Sequence, residues 1–267
     1  MELGLQNKVV LITGASKGLG AAIATAFAEE GSKLILVART QSELDQVAAN
    51  AEELGASAVL TIAADLTQTN EIDRVVSKAI AQFSTIHVLV NNAGILGSFS
   101  SFADLTDDEW LQVFNLNLFS VVKLTRAILP YMVQQHWGRI INLSSESGLQ
   151  PDAAMPHYAA TKAALLNLTK SLSKAYGQHG VLVNSVSPAF IKTPMVEAML
   201  KQIAQDQHLS IQDAEAYFLK ENRPHIELKR GGTAAEVAAA VVFLASEAAS
   251  FIIGTNLRVD GGSVASI

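Results

Sequence analysis

Short apolar, β-branched runs alternate along this chain of 267 residues with longer stretches whose apolar positions recur at helical spacing. The runs predict strands at Lys8–Thr13, Lys33–Ala38, Ala58–Ala63, Val88–Asn91, Gly138–Leu143, Leu182–Val186 and Asn256–Val259. Helical patterns fall between them, near 18–30, 42–54, 69–83, 107–135, 157–178 and 233–245. Val9-Val10-Leu11-Ile12 and Leu34-Ile35-Leu36-Val37 do not alternate with polar residues. Strands covered by helices on both faces read this way. Strand and helix in regular succession imply right-handed crossovers and an α/β fold: a doubly wound, seven-stranded parallel sheet with helices on both faces. The rhythm fits a single domain over 1–267. It breaks only at 193–230, a polar, mostly helical stretch expected to form a small substrate lid.

The first strand runs into Gly14-Ala15-Ser16-Lys17-Gly18-Leu19-Gly20, and an Ala-rich helix follows. Glycines there let the backbone approach a pyrophosphate, and a helix N-terminus offers free N–H groups and partial positive charge. The second strand ends in Val37-Ala38-Arg39-Thr40, with no carboxylate to hold a ribose 2′-hydroxyl. Arg39 suits a 2′-phosphate instead, and Lys17 offers a second cation. The expected cofactor is therefore NADP(H), preferred over NAD(H). Asp65-Leu66 follows the third strand, where the carboxylate fits either an adenine amino group or a helix-start role ahead of Thr67. Asn91-Asn92-Ala93-Gly94 follows the fourth strand, at the edge where such sheets bind ligands.

Tyr158 and Lys162 lie four residues apart on one helical face, so an ammonium neighbours a phenol. A cation there lowers the phenol pKa and suits it to acid/base work. Ser145, just past the fifth strand, can donate to a carbonyl oxygen. Asn117 interrupts an otherwise apolar helix, which points to a bent or hydrated site or to a buried amide satisfied by backbone.

Together these segments resemble the classical short-chain dehydrogenases/reductases over about residues 5–263. The resemblance rests on Thr13-Gly14-Ala15-Ser16-Lys17-Gly18-Leu19-Gly20, Asp65, Asn91-Asn92-Ala93-Gly94, Asn117, Ser145, Tyr158 with Lys162, Asn184-Ser185-Val186-Ser187-Pro188, Thr193 and Val259-Asp260-Gly261-Gly262. It implies a Rossmann fold and a 3-oxoacyl-carrier-protein-reductase-like carbonyl reductase, with Tyr158 as general acid/base. It further implies that Lys162 tunes Tyr158 and binds the nicotinamide ribose, that Ser145 polarises the carbonyl, and that Asn117 holds a water. Pro188, Ile191 and Thr193 would meet the nicotinamide. Ala189 replaces the family's usual glycine after Pro188. The reaction so implied is reduction of a ketone or 3-oxo group to a secondary alcohol. Dehydrogenation of an alcohol or sugar is the alternative, and a non-catalytic NADP-binding module a remote one. Glu146, Gln150, His157, Phe190 and Met195 are candidate pocket residues, and the resemblance implies a homotetramer, with the apolar long helices 107–135 and 157–178 at its interface.

Composition narrows the classes. With 19 basic and 25 acidic residues the net charge is −6, which argues against a nucleic-acid surface. The chain has no cysteine, which excludes a disulfide framework, a Cys-ligated zinc and a thiolate nucleophile. The histidines lack metal-ligand spacing, so no metal is expected. Val237–Ile253 is broken by Ser246 and Glu247, and the N-terminus shows no apolar signal region. A soluble, cytoplasmic enzyme acting on a small molecule is the expectation, with 49% hydrophobic residues hinting at further burial between subunits.

Overall fold

The computed structural model describes residues 2–266. Seven parallel strands form the sheet: β1 (Val9–Thr13), β2 (Lys33–Ala38), β3 (Ala58–Ala63), β4 (Val88–Asn91), β5 (Gly138–Leu143), β6 (Val181–Pro188) and, last in the chain, β9 (Asn256–Val259). Their order is β3-β2-β1-β4-β5-β6-β9, with the direction of winding reversing between β1 and β4. Six of the seven expected strands match to within one residue. The sixth is longer at both ends than the sequence suggests.

The non-alternating runs have a simple physical origin. Val10 and Ile12 of β1 and Leu34 and Leu36 of β2 face one core layer, with Phe27, Leu44 and Val241. Val9, Leu11, Ile35 and Val37 face the other, with Ile72, Val75, Leu124 and Ile128. Helices α1 (Gly18–Glu29), α2 (Gln41–Glu53) and α9 (Ala234–Ala245) supply the first layer. The second comes from α3 (Thr69–Phe83) and α5 (Ser120–Gln134).

One long helical run, Asp107–Gln134, comprises α4 (Asp107–Phe114), a π-turn over Asn115–Phe119, and α5. Its length and hydropathy would allow a membrane crossing, but Leu124, Ile128 and Met132 are packed in the second core layer. The expected continuous helix is thus widened where Asn117 sits. Such π-turns tend to occur at functional sites.

Helix α6 (Pro156–Tyr176) lies against β6. The stretch after β6 forms β7 (Ile191–Lys192), α7 (Pro194–Asp206) and α8 (Ile211–Asn222) before β8 (Gly232–Thr233) pairs with β7. These two short strands escaped the sequence reading, because two residues carry no periodicity. Helices α7 and α8 close on their own small core of Phe190, Leu200, Leu219 and Ile226, with the Phe190 ring stacked on Phe218 at 4.9 Å.

Candidate active site

The carboxyl ends of β1 and β4 are tied together first. Thr13 Oγ1 accepts from the N–H groups of Asn92 and Ala93, each at 3.0 Å. The Asn92 amide donates back to the carbonyl of Thr13 at 2.9 Å. The glycine turn folds over this clamp. Gly14 and Gly18 have φ of 64° and 58°, and a Cβ on Gly20 would overlap the carbonyl of Gly14. Only glycine permits this approach of turn to helix.

Helix α1 then opens with no side-chain cap and no acid in its first turn. Its N–H groups and positive dipole end are left for an anion, as a dinucleotide pyrophosphate requires. Arg39 is exposed beyond the end of β2. Lys17 is exposed too, and its Nζ lies 3.8 Å from Glu43 Oε1 at the start of α2. Asp65 Oδ1 accepts from the Thr67 backbone at 3.0 Å and hydroxyl at 2.8 Å. These bonds close a turn ahead of α3, whose N-cap is Gln68, so Asp65 does not cap the helix, and its other oxygen stays open to an adenine amino group. Leu66 is buried in the core and can meet a nucleotide only through its backbone. Ser16 and Leu19 are half-buried within the turn.

Lys162 is buried, and its Nζ donates to the carbonyl of Leu143 at 2.7 Å. Ser144 Oγ donates to the Lys162 carbonyl at 2.9 Å. These two bonds fix α6 to the end of β5. Burial pushes the Lys162 ammonium down to about 8. The ammonium stands 5.5 Å from the centre of the Tyr158 ring. Burial raises the phenol pKa, Ser145 opposes this by hydrogen bonding to it, and the Glu146 charge raises it further. Ser145 is itself fixed by accepting from the Ser147 N–H at 3.1 Å. Tyr158, Lys162 and Ser145 thus converge at one sheet edge.

Asn117 joins them from the π-turn. Its amide donates to the Ile95 carbonyl at 2.8 Å and to Thr161 Oγ1 at 3.3 Å, while its oxygen accepts from the Ile95 N–H at 2.9 Å. The side chain is therefore satisfied chiefly by backbone, one of the two readings its sequence position left open. Gly94 runs directly above: a Cβ there would lie 3.2 Å from Asn117 Oδ1 and 3.7 Å from Lys162 Nζ. Thr161 links the pieces by donating to the Tyr158 carbonyl at 2.7 Å. Sequence reasoning counted Thr13 in the glycine motif without giving it a role and passed over Thr161, because threonine in a motif gap or at a strand end has no signal of its own.

The candidate pocket residues divide. Glu146 is buried beside Ser145, and burial raises its pKa while Ser263 and Arg223 pull it down. Gln150 Oε1 accepts weakly from the Ala265 N–H at 3.4 Å, near the chain end. His157 is fully buried against Gly97, Val113 and Trp110. It does not cap α6, whose N-cap is Met155, and among the described residues neither ring nitrogen has a partner. Phe190, Ile191 and Ala189 line a cavity of about 180 Å³ that reaches Asp260 and Gly261. Ala189 replaces the expected glycine without strain, because its φ is not positive. Pro188 ends β6, paired with Val259. Thr193, at the start of the stretch that carries α7 and α8, lies close to Gly18 of the glycine turn. Met195 is 64% exposed on α7, directed to solvent in this arrangement. Among the described residues no cluster of His, Asp or Glu could hold a metal.

Comparison with known proteins agrees with this geometry. Residues 8–204 match the family model described as short chain dehydrogenase. An uncharacterized oxidoreductase of Bacillus subtilis, YvaG, is 39% identical over 267 residues, covering all of both chains. The 3-oxoacyl-[acyl-carrier-protein] reductase FabG of Thermotoga maritima is 35% identical over 260 residues, which is 97% of this chain and 99% of its own. The crystal structure of L-sorbose reductase from Gluconobacter frateurii, complexed with NADPH and L-sorbose, superposes with a TM-score of 0.94 at 33% identity, covering 100% of each chain.

Proposed function

The chain belongs to the short-chain dehydrogenase family, and on that premise we propose that it reduces a ketone or 3-oxo group to a secondary alcohol with NADPH. The observation that carries the reading is the convergence of Tyr158, Ser145 and Lys162 beside an uncapped α1 and a glycine cradle that a Cβ would fill. Two of the similar proteins, FabG and L-sorbose reductase, are reductases by name.

When bound, NADPH supplies the hydride for the carbonyl carbon. The first turn of α1, with Gly14, Ser16, Gly18, Leu19 and Gly20, would hold its pyrophosphate. Arg39 and Lys17 would hold the 2′-phosphate, Asp65 and Leu66 the adenine side. Asn92, Ala93, Gly94, Lys162, Pro188, Ile191 and Thr193 would hold the nicotinamide half. Ser145 Oγ donates a hydrogen bond to the substrate oxygen and so favours the negative charge that develops there. Tyr158 Oη gives that oxygen its proton as the C–O bond becomes single. The Lys162 ammonium steadies the phenolate left behind, and Asn117 keeps the backbone around it in place. The reverse reaction uses the same groups, with Tyr158 Oη accepting the proton.

The segment 193–230 serves as a lid over this edge of the single domain, since α7 and α8 rest on Phe190 rather than on the sheet. The enzyme works as a cytoplasmic homotetramer. The α5–α6 face supports this: Val122, Leu129, Leu168 and Leu172 line a shallow apolar hollow of about 530 Å³ that a second copy would cover.

Loss of reduced-nicotinamide absorbance with a ketone panel tests the reading. Turnover with NADPH in excess of NADH, abolished in Tyr158→Phe with cofactor binding kept, is the expected result. Silence toward every ketone with both cofactors overturns it. A monomeric mass by light scattering overturns the tetramer.

A further inference from the structure

The short turn Glu146–Gly148, directly after Ser145, is held by two separate contacts. One is Gly148, packed so closely on α6 that a Cβ would come within 2.8 Å of the Lys162 backbone. The other is the buried Glu146 carboxylate, which meets Ser263 near the chain end and Arg223 at the end of α8. Arg223 Nε lies 3.6 Å from Glu146 Oε1, and Arg223 Nη1 lies 3.3 Å from Asp152 Oδ2 further along the same loop. Asp152 is fixed in turn by accepting from the Ala154 N–H at 2.9 Å.

Helices α7 and α8 pack on their own small core, so other bonds must set their place over the site. Glu215 fastens α8 to the β7–β8 pair, accepting from the Gly231 N–H at 2.7 Å and lying 3.5 Å from Lys192 Nζ. Among the described residues, the ion pairs reaching from 193–230 to the loop after Ser145 are those of Arg223.

We propose that Arg223 is a positioning residue: from the end of α8 it clasps Glu146 and Asp152, and so sets the Ser145 hydroxyl against the reacting carbonyl when the lid is seated. This deepens the ketone-reductase reading and rests on it.

A guanidinium suits the task, because its planar fork of donors can meet two carboxylates at once. Partly exposed ion pairs add little to global stability. Hydride transfer, in contrast, depends steeply on geometry, and a small misplacement of a catalytic group is costly. The same cation offsets the Glu146 charge, which bears on the Tyr158 phenol.

The experiment uses the full-length enzyme with Arg223→Met, which removes the charge, Arg223→Lys, which keeps it, Glu146→Gln, and the double variant Arg223→Met with Glu146→Gln. Ethyl acetoacetate and L-sorbose are the ketone probes, with NADPH. Arg223→Met should lower kcat by about 10–100-fold. Its NADPH affinity, read by fluorescence titration, should stay within about twofold and its Tm within about 4 °C. Arg223→Lys should recover part of the lost kcat. The double variant should be no slower than the slower single one, because both changes break one clasp. Hydrogen exchange gives a second readout: amides of residues 147–150 should exchange faster in Arg223→Met than in the unaltered enzyme. An unchanged kcat in Arg223→Met, unchanged exchange at 147–150, or losses that simply add in the double variant overturns the clasp and leaves the reductase reading standing. No turnover of any ketone by the unaltered enzyme overturns that reading and, with it, the role given to Ser145.

Discussion

The Asn117 side-chain amide is bonded at both ends to the backbone of Ile95, donating to its carbonyl and accepting from its N–H. This joins the π-turn of the long helix to the loop that leaves β4, and Gly94 is thereby held over Lys162. Asn117→Leu removes both bonds and leaves two backbone groups short of partners. The expected loss is about 2–4 kcal/mol. In a chain of this size that is a fall in Tm of about 5–15 °C. Thermal melts check it, and an unchanged Tm would mean that the loop is held elsewhere.

Lys162 gives a pH signature opposite in sign to that of a lysine stabilised by an acidic partner. Burial lowers its folded pKa to about 8, against 10.5 for the ordinary side chain. Between these values the unfolded chain holds the extra proton, so stability of the cofactor-free protein should rise as pH climbs from about 8 toward 10. Above about pH 8 the ammonium beside Tyr158 is lost, and turnover should fall over the same range. Melts and rates taken together from pH 7 to 10 test this, and Lys162→Met should flatten the melting slope.

His87 acts at the other end of the sheet. Its Nδ1 accepts from the Val9 N–H at 3.0 Å, and burial aided by Lys8 and Lys33 lowers its pKa from 6.5 to about 4. The neutral ring is the folded form. The unfolded chain takes up the proton first as pH falls from 6.5 to 4, so stability should drain away in that window. His87→Gln should show a shallower acid-side decline in urea midpoints than the unaltered protein.

In the proposed reading, Arg39 and Lys17 hold the 2′-phosphate that distinguishes NADPH from NADH. Arg39→Asp should raise the KM for NADPH by about 10–100-fold, as loss of a charge-assisted contact implies. It should leave KM for NADH equal or lower. Retained NADPH affinity would show that Arg39 is only a solvated surface charge.

Gly20→Ala tests the cradle by shape alone. The added methyl would collide with the Gly14 carbonyl, and backbone rather than a flexible side chain would have to yield. Nucleotide binding measured by fluorescence titration should weaken by at least about 10-fold. Unchanged binding would mean that the turn relaxes freely.

Much of this protein follows from local sequence. Val9–Ile12 and Leu34–Val37 had to lie between two layers because every side chain in them is apolar, whichever way it points. Gly14, Gly18 and Gly20 had to form a tight turn into a helix, and Tyr158 and Lys162 had to share a face, because backbone freedom and helical period are local properties. What the chain could not show by itself depends on residues far apart in sequence. The bonds of Asn117 to Ile95, Lys162 to the Leu143 carbonyl, and Arg223 to Glu146 exist only after the sheet has closed its order around β1 and β4. Likewise β7 and β8 are two residues each and become strands only by meeting one another. Burial then decides the chemistry, since it sets the Lys162 ammonium at about 8 and raises the pKa of the Tyr158 phenol. Desolvation is a property of the packed whole, and no pattern of neighbours along the chain encodes it.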